Sequence, residues 1–585
     1  MSGITGHRKL LEQLEADGIR YMFGNPGSSE EGLLDEIARF PAIGYVLGLQ
    51  EAAIVGIADG YAQATQKPAV VQLHCSVGLG NAIGSLYHAR RRRSPLLVIA
   101  GESGAAYDSM DAQMAADLVA MARPVTKYAT RVIDSRSLLR LLRRCLKMAA
   151  TPPFGPVFLS VPQDILDAPN DEPVLPTVVP STRVVPEPSA IAAVAVMLRG
   201  AHNPLILMGD GVAHSQAQAE LVQLADVLGA RVYGVMASEL NIPWTHPLYC
   251  GLLGHMFGHS SQRIVADADV VVICGTYVFP EVFPLLTNPF RADAKVIHID
   301  LDPYEIAKNH PITIGLLSDP KLTLKALAHG VTDSTTTEQK ATIEARAQRI
   351  GADNAARITR EKQRDEESER ENERGYDAIV ESGGIPPPPR PTLHRFAAEL
   401  AKMLPENAII FDESLTHSLE LTRWLPPHAM GSFFQTPGGT LGVGLPGAVG
   451  VKLAHPERTV IGLSGDGGSM YTFQALWTAA HYRIGAKFVV CNNHSYRLLK
   501  LNLLDYWPSL GLSPAQFPPS FPPPFDIDDP DLDFVGLARA LGVAGRRVDA
   551  LADIPLAIKA MLEYDGPFLI DLILDGSVPR PTGAG

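Results

Sequence analysis

The sequence predicts an α/β fold of three domains, each built on a mainly parallel sheet covered by helices. Three observations carry this reading. Short apolar runs of strand length alternate with helical patterns through most of the chain, as in βαβ units. The alternation lapses twice, over residues 167–185 and 333–390, leaving three blocks. A chain of 585 residues, 46% hydrophobic and 19% charged, has the material for three cores of ordinary size.

The first block, residues 1–166, offers strands at 45–49, 69–73, 96–100 and 157–161. A linker at 167–185 contains the Pro-rich stretch DAPNDEPVLPTVVP. The central block, 186–332, offers strands at 204–208, 270–274 and 295–300. Residues 333–390 lose the strand pattern and become charged, as in ITREKQRDEESERENERGY, so a solvated helical connector is expected. Pro386 to Pro389 stiffen the approach to the third block, 391–576, which begins with the helical pattern TLHRFAAEL. Residues 577–585 read as a loose tail. No short-period repeat is visible, and the sequence alone shows no kinship of fold between the first and third blocks.

A net charge of −13 lacks the cationic excess of a nucleic-acid footprint. No apolar run reaches membrane-spanning length, and the N-terminal residues lack a charged-then-apolar signal pattern. The five scattered cysteines have no metal-like spacing and fit a reducing compartment. The expectation is a cytoplasmic protein.

The most informative stretch lies in the third block. The strand pattern TVIGLS leads into Gly465-Asp466-Gly467, then a helix of about four turns opening near Gly468, then FVVCNN ending in Asn492-Asn493. The glycines let backbone amides approach an anion, and the helix start favours negative charge. Asp466 and the Asn pair supply hard oxygen donors from two strand ends, which suits Mg²⁺ bridging to a diphosphate.

GDG with NN at this spacing resembles the signature of thiamine diphosphate enzymes. FGNPGSSE (23–30), GLQEAAIVGIADGYAQAT (48–65), LHCSVGLGNAIGSL (73–86) and SPLLVIAGE (94–102) resemble the pyrimidine-binding domain of their decarboxylase branch, close to the benzoylformate decarboxylase pattern. The resemblance spans nearly the whole chain, in the order pyrimidine-binding, central and diphosphate-binding domain, and extends to the acetohydroxyacid synthase superfamily.

The resemblance implies a carboxylate, Glu51, that tautomerises the aminopyrimidine; read alone, Glu51 is a first-turn helix acid. It casts Leu441 in GGTLGVGLPGAVG (438–450) as the wedge that bends the cofactor, against a plain core role, and the Gly439 carbonyl as acceptor for the 4′-amine. Cofactor contacts carried over are Glu413, Ser414, Thr416, Gly465, Asp466, Gly467, Gly468, Ser469, Asn493, Ser495 and Tyr496. Leu415 stands where the pattern has a hydroxyl residue. The implied Mg²⁺ ligands are Asp466, Asn493 and the Ser495 carbonyl. Ser28 and His74 match the substrate-facing serine and histidine, against local capping and a structural strand-end histidine.

Departures bear on the substrate. TYVFPEVFPLLTN (276–288) lacks the second histidine of the benzoylformate decarboxylase pattern, while 111–132 resembles benzaldehyde lyase, with Gln113 at its glutamine. Leu498 and Leu499 are expected to line the substrate pocket. Residues 505–531, rich in proline and aromatics, read as a lid or as surface decoration. Arg90 to Arg93 read as a solvated helix end, with coenzyme A binding as the minority view. FAD, which related synthases keep in the central domain, is the minority cofactor.

The implied function is thiamine diphosphate-dependent decarboxylation of a 2-oxo acid to an aldehyde, with a carboligase, acyloin lyase or acetolactate synthase-like enzyme as the alternative. A catalytically silent thiamine-binding protein is the third reading, and Glu51 together with Asp466 and Asn493 argues against it. The family's architecture implies a homodimer or homotetramer with the active site between subunits, and small 2-oxo acids or aldehydes as the other partners.

Overall fold

The apolar runs assemble into three six-stranded sheets in the structure, a computed structural model that describes residues 4–254, 256–381, 389–437 and 439–579. The first sheet comprises β1 (Tyr21–Gly24), β2 (Gly44–Leu47), β3 (Ala69–Leu73), β4 (Leu96–Glu102), β5 (Tyr128–Arg131) and β6 (Val157–Pro162). The central sheet holds β7 (Pro204–Met208), β8 (Arg231–Val235), β9 (Tyr249–Leu253), β10 (Val270–Cys274), β11 (Lys295–Asp300) and β12 (Ile314–Leu317). The third holds β13 (Ile409–Glu413), β14 (Phe433–Gln435), β15 (Val460–Gly465), β16 (Lys487–Asn492), β17 (Ala544–Val548) and β18 (Phe568–Ile573).

Neighbouring strands pair in parallel in all three sheets. The central strands β3, β7, β10 and β18 are buried throughout, because helices cover both faces. The first sheet runs β2-β1-β3-β4-β6-β5 and the third β14-β13-β15-β16-β18-β17, which is the same order. The central sheet runs β12-β11-β10-β7-β8-β9, a doubly wound arrangement of different order. The kinship of first and third blocks is thus plain in topology although hidden in sequence.

The helices that follow the second strand of each related sheet, Glu51–Thr65 and Gly444–Ala454, pack on one another. Glycines set their separation. A Cβ on Gly60 would come within 2.2 Å of the Gly447 carbonyl oxygen, and one on Gly450 within 1.9 Å of the Ile57 carbonyl oxygen. One apolar core therefore runs through both sheets, from Ile54, Ile57 and Phe158 to Phe411, Val449 and Phe488.

The charged connector forms one helix, Thr337–Glu381, more anchored than a solvated spacer. Arg346 donates to the carbonyls of Ala201, His202, Leu228 and Gly229, and Asn354 to that of Pro247. Further along, Glu361 and Asp365 bind Arg423, Asp365 binds the Trp424 indole, and Glu369 binds His394. Pro386 to Pro388, Gly438 and tail residues 580–585 lie outside the described residues. Among the described residues no helix is long and apolar enough to cross a membrane.

Candidate active site

Parallel strands present their connecting loops at their C-terminal ends, and both related sheets carry polar clusters there. At the end of β1, Ser28–Glu30 form a single 3₁₀ turn, and Glu30 folds back to accept from the Gly27 amide at 3.0 Å. The same carboxylate accepts from the Gly101 amide beyond β4 at 3.1 Å and from Ser29 Oγ at 2.7 Å. Its Oε2 lies 2.9 Å from Nδ1 of His74, the residue after β3. Gly27 is required here, since a Cβ would stand 2.2 Å from the His74 ring. A carboxylate on Nδ1 fixes the tautomer and leaves Nε2 to exchange protons elsewhere. The His74 side chain keeps 19% exposure, against 4% for Glu30.

Glu51 is buried at the first position of its helix. Asn25 Nδ2 donates to its Oε1 at 2.9 Å and Asn81 Nδ2 to its Oε2 at 3.0 Å. Glu51 and His74 are neighbours: a Cβ on Gly78 would stand 3.4 Å from Glu51 Oε1 and 3.6 Å from His74 Cβ. Ser28 is exposed on the adjoining turn. Gln113 is also exposed, in a segment tied to the start of the helix after His74, Cys75–Arg91, by Ser76 Oγ donating to the Met114 carbonyl at 2.7 Å. Sequence reading passed over Glu30, Asn25 and Asn81. Glu30 stands three residues after Gly27, the spacing at which an N3 carboxylate reaches back to the N-cap amide, and that was the available signal for Glu30.

Glu30, His74 and Cys75 bring possible ligand atoms within 4.8 Å of one another. Ser29 Oγ sits among them, 2.7 Å from Glu30, 3.2 Å from His74 and 3.2 Å from Cys75. A hydroxyl is the hub of this group, and its mixed oxygen, nitrogen and sulfur donors do not suit Mg²⁺.

The second set stands on the third sheet. Glu413, at the end of β13, is fully buried and accepts from Val443 N at 3.2 Å, Gly444 N at 2.8 Å and Ser464 Oγ at 3.0 Å. Burial pushes its carboxyl up to about 7 against those hydrogen bonds. Its side chain therefore braces the 442–444 turn against β15, an inward role that its sequence position did not suggest. Ser414 likewise turns inward, donating from Oγ to Asp412 Oδ1 at 2.6 Å, and Thr416 is half-buried on the next turn. Leu415 adopts a left-handed φ of 50°.

Gly465 to Ser469 follow β15. Asp466 is buried; its Oδ1 accepts from Gly467 N at 2.8 Å, and its Oδ2 from Asn493 N at 3.1 Å and Ser495 N at 3.2 Å. Burial raises its carboxyl despite these amides, and among the described residues no lysine or arginine pairs with it. Asn493 Oδ1 accepts from Ser495 N at 3.0 Å, and the Ser495 carbonyl accepts from Arg497 N at 2.7 Å, each leaving a lone pair. A buried, unneutralised carboxylate with a carboxamide and a carbonyl beside it fits a hard divalent cation. A Cβ on Gly465 would meet nothing within 4 Å, so the turn faces open space, whereas one on Gly467 would strike the Tyr496 ring at 2.5 Å. Ser469 Oγ donates to the Gly465 carbonyl at 2.7 Å. Leu441 Cβ would lie 4.0 Å from a Cβ on Gly468, which brings the 439–441 segment against the same turn; Gly439 has φ 102°.

Two expectations are corrected. The helix after Gly467 is two short pieces, Asp466–Ser469 and Ala475–His481, because Thr472 Oγ1 donates to the Gly442 carbonyl and draws the chain aside. Arg90 to Arg93 are no solvated helix end. Arg92 is fully buried against Asp59, Arg93 pairs with Asp300, Arg91 lies over the Tyr277 ring and Arg90 donates to the Pro124 carbonyl. Residues 505–531, read from the sequence as a lid or as surface decoration, carry short elements of their own. A helix continues to Ser509, two 3₁₀ turns follow, and the segment doubles back onto the cation-side turn. Tyr496 N donates to the Phe525 carbonyl at 2.8 Å, Ile527 N donates to that of His494 at 3.0 Å, and Lys500 pairs with Asp526. Leu498 is half-buried and Leu499 42% exposed in the first turn of that helix.

Comparison with known proteins places these clusters in a family. Residues 4–121 match the thiamine pyrophosphate enzyme N-terminal TPP binding domain, 191–327 the central domain and 416–572 the C-terminal TPP binding domain. The chain is 31% identical to benzoylformate decarboxylase of Pseudomonas aeruginosa, over 97% of this chain and 98% of that one. It is 25% identical to a probable acetolactate synthase large subunit of Methanococcus aeolicus, over 98% and 92%. Among solved structures, a thiamine diphosphate-dependent 4-hydroxybenzoylformate decarboxylase of Rhodococcus jostii superposes with a TM-score of 0.80 at 27% identity, covering 98% of this chain and 99% of that one. Benzoylformate decarboxylase of Polynucleobacter necessarius superposes with a TM-score of 0.81 at 25% identity, over 98% and 99%. The chain belongs to the thiamine diphosphate (thiamine pyrophosphate) enzymes of the decarboxylase and acetolactate synthase superfamily.

Proposed function

We propose that this enzyme decarboxylates a 2-oxo acid to an aldehyde, with thiamine diphosphate and Mg²⁺ bound by the residues described. The observation that carries the reading is the adjacency of buried Glu51 to a His74 whose Nδ1 is held by Glu30. It joins the two proton-handling groups that decarboxylation and product protonation require. The full-length likeness to benzoylformate decarboxylases points the same way.

When bound, thiamine diphosphate supplies a nucleophilic carbon and a sink for the electrons released with CO₂. Asp466, Asn493 and the Ser495 carbonyl would hold Mg²⁺, and the open face of the turn at Gly465 leaves room for the diphosphate. Leu441, against Gly468, fills the space beside that turn. Glu51, fixed by Asn25 and Asn81, holds or accepts a proton at one carboxylate oxygen. His74 moves a proton through Nε2 to or from substrate oxygen or carbon, and Ser28, exposed at the rim, offers a hydroxyl to the substrate carboxylate.

The two sets are also the support for a site shared between subunits. Within one chain, Glu51 and His74 meet at Gly78, whereas Gly439 and Thr440 touch the same helix at Tyr87 and Gly84. At 1.5 Å per residue those points lie roughly 9–14 Å further along it. Exposed Val77, Leu419, Met470 and Tyr471 suit burial by a second copy. We therefore read the protein as a homodimer or a tetramer of dimers.

Carboligation is the second reading, favoured by the 276–288 loop, which presents exposed Val282, Phe283 and Leu286 and no histidine. The test is a panel of aromatic and aliphatic 2-oxo acids, with CO₂, aldehyde and acyloin each quantified. Absence of CO₂ release across the panel overturns the decarboxylase reading, and acyloin as the main product with paired aldehydes favours the second.

A further inference from the structure

A histidine outside every motif of the sequence reading touches the cation-side turn. His417 closes the 3₁₀ turn Leu415–His417 after β13 and is 7% exposed. Its Nε2 lies 3.4 Å from Asn493 Nδ2, and Asn493 is equally buried. On the far side, His417 Nδ1 lies 3.5 Å from Glu420 Oε2. Glu420 is held in turn by His394, whose backbone amide donates to Oε1 at 2.6 Å and whose Nδ1 lies 3.3 Å from it.

These contacts define a direction. Burial disfavours the Glu420 charge, but the hydrogen bonds from His394 and the nearby His417 ring outweigh it and hold the carboxyl below the usual range. The Ser495 amide can only donate, so the Asn493 atom it meets is Oδ1 and the atom facing His417 is the Nδ2 amide. His417 Nε2 is then the acceptor, and the hydrogen sits on Nδ1, turned toward Glu420. The amide plane is then fixed with Oδ1 on the opposite side, toward Ser495 N and the Asp466 carboxylate. An asparagine amide is nearly symmetric in shape, and flipped it would present an NH₂ group to a cation.

We propose that His417 is a positioning residue that selects the metal-binding orientation of Asn493, with Glu420 selecting the tautomer of His417. The inference rests on the reading of Asp466 and Asn493 as Mg²⁺ ligands. Outer partners of this kind typically change metal affinity about 10–100-fold when removed.

The test is Mg²⁺ titration of the apoenzyme at fixed thiamine diphosphate, read by tryptophan fluorescence or near-UV dichroism, with the melting temperature of metal-free protein as control. His417→Leu should weaken Mg²⁺ about 10-fold or more. His417→Gln, which restores an acceptor, should recover most of that loss, and Glu420→Gln should weaken Mg²⁺ by a smaller factor through the freed tautomer. Should His417→Leu fail to fold, the His417→Gln and Glu420→Gln variants decide: parental affinity in Glu420→Gln overturns the proposal. Equal weakening in His417→Leu and His417→Gln overturns it too, as does parental affinity in His417→Leu. Asp466→Ala separates the premise: if it leaves Mg²⁺ binding unchanged, the ligand assignment has failed, whereas if only Asp466→Ala weakens binding, the role of His417 alone has failed.

Discussion

The first and third sheets have one strand order and two kinds of chemistry. In the first, the loops after the first and third strands carry titratable side chains that face one another, Glu30 and His74, and the helix after the second strand begins with Glu51. In the third, the first strand ends in an acid, Glu413, that braces backbone amides, and the loop after the third strand presents Asp466 among glycines. On the proposed reading, one edge moves protons and the other holds an anion through a cation. The scaffold is common, and the residues at a few loop positions decide which task each edge performs.

If that division holds, the edges fail in different ways, and the largest effects separate them. Asp466→Ala should abolish Mg²⁺-dependent cofactor retention. Glu51→Gln should retain the cofactor and slow hydrogen–deuterium exchange at the thiazolium carbon by orders of magnitude. Equal cofactor loss in both variants, measured by equilibrium dialysis, would erase the distinction.

Next is Glu30→Gln, which leaves His74 without its fixed tautomer. Turnover should fall by about 10²-fold at unchanged cofactor affinity. Parental turnover would make Glu30 a purely structural brace.

The joint between the sheets should respond in stability rather than in chemistry. Gly450→Ala pushes a methyl toward the Ile57 carbonyl oxygen, already at 1.9 Å from an ideal Cβ. Overpacking of this kind costs about 1–3 kcal/mol. Thermal unfolding should show it, and a variant as stable as the parent would mean that the crossing is looser than its geometry implies.

A subtler contrast concerns pH. Burial raises the Glu413 carboxyl from an ordinary value near 4.5 to about 7 in the fold. The folded state thus binds the proton more tightly than the unfolded chain. The stability from this group is fully present below about 4.5 and is lost as pH rises to about 7, by about 3 kcal/mol at most. Glu413→Gln should flatten that slope in denaturant titrations between pH 4.5 and 7. A parental slope in the variant would assign the dependence elsewhere.

The smallest effect is expected at Gln113, which is exposed in the single chain. Gln113→Ala should lower the ratio of acyloin to aldehyde by a few-fold. An unmoved ratio would leave a plain decarboxylase.

Much of this was legible in the sequence where a signal was local. Fully apolar strands such as β7 and β10 announced themselves, and the Gly465–Asp466–Gly467 turn followed by Asn493 marked the third edge. Short strands such as β14, three residues of Phe433–Gln435, fall below the length at which alternation can be read. The break between Ser469 and Ala475 depends on Gly442, some thirty positions earlier in the chain. His417 acquires meaning only from Asn493, 76 positions later. Residues whose work is set by distant partners carry no local periodicity, and those are the ones that the structure alone revealed.

The long helix Thr337–Glu381 also bears on how the chain is made. It rises about 68 Å at 1.5 Å per residue, and its two ends have partners of different age. Arg346 and Asn354 bind residues 201–247, already synthesised when they leave the ribosome, so the first half can dock at once. Glu361, Asp365 and Glu369 must wait for residues 394–424. At about 5–20 residues per second, the roughly 55 residues from Glu369 to Trp424 take roughly 3–11 s. During that interval the exposed half of the helix is a run of charged side chains, which keeps a waiting nascent segment in water and away from other chains.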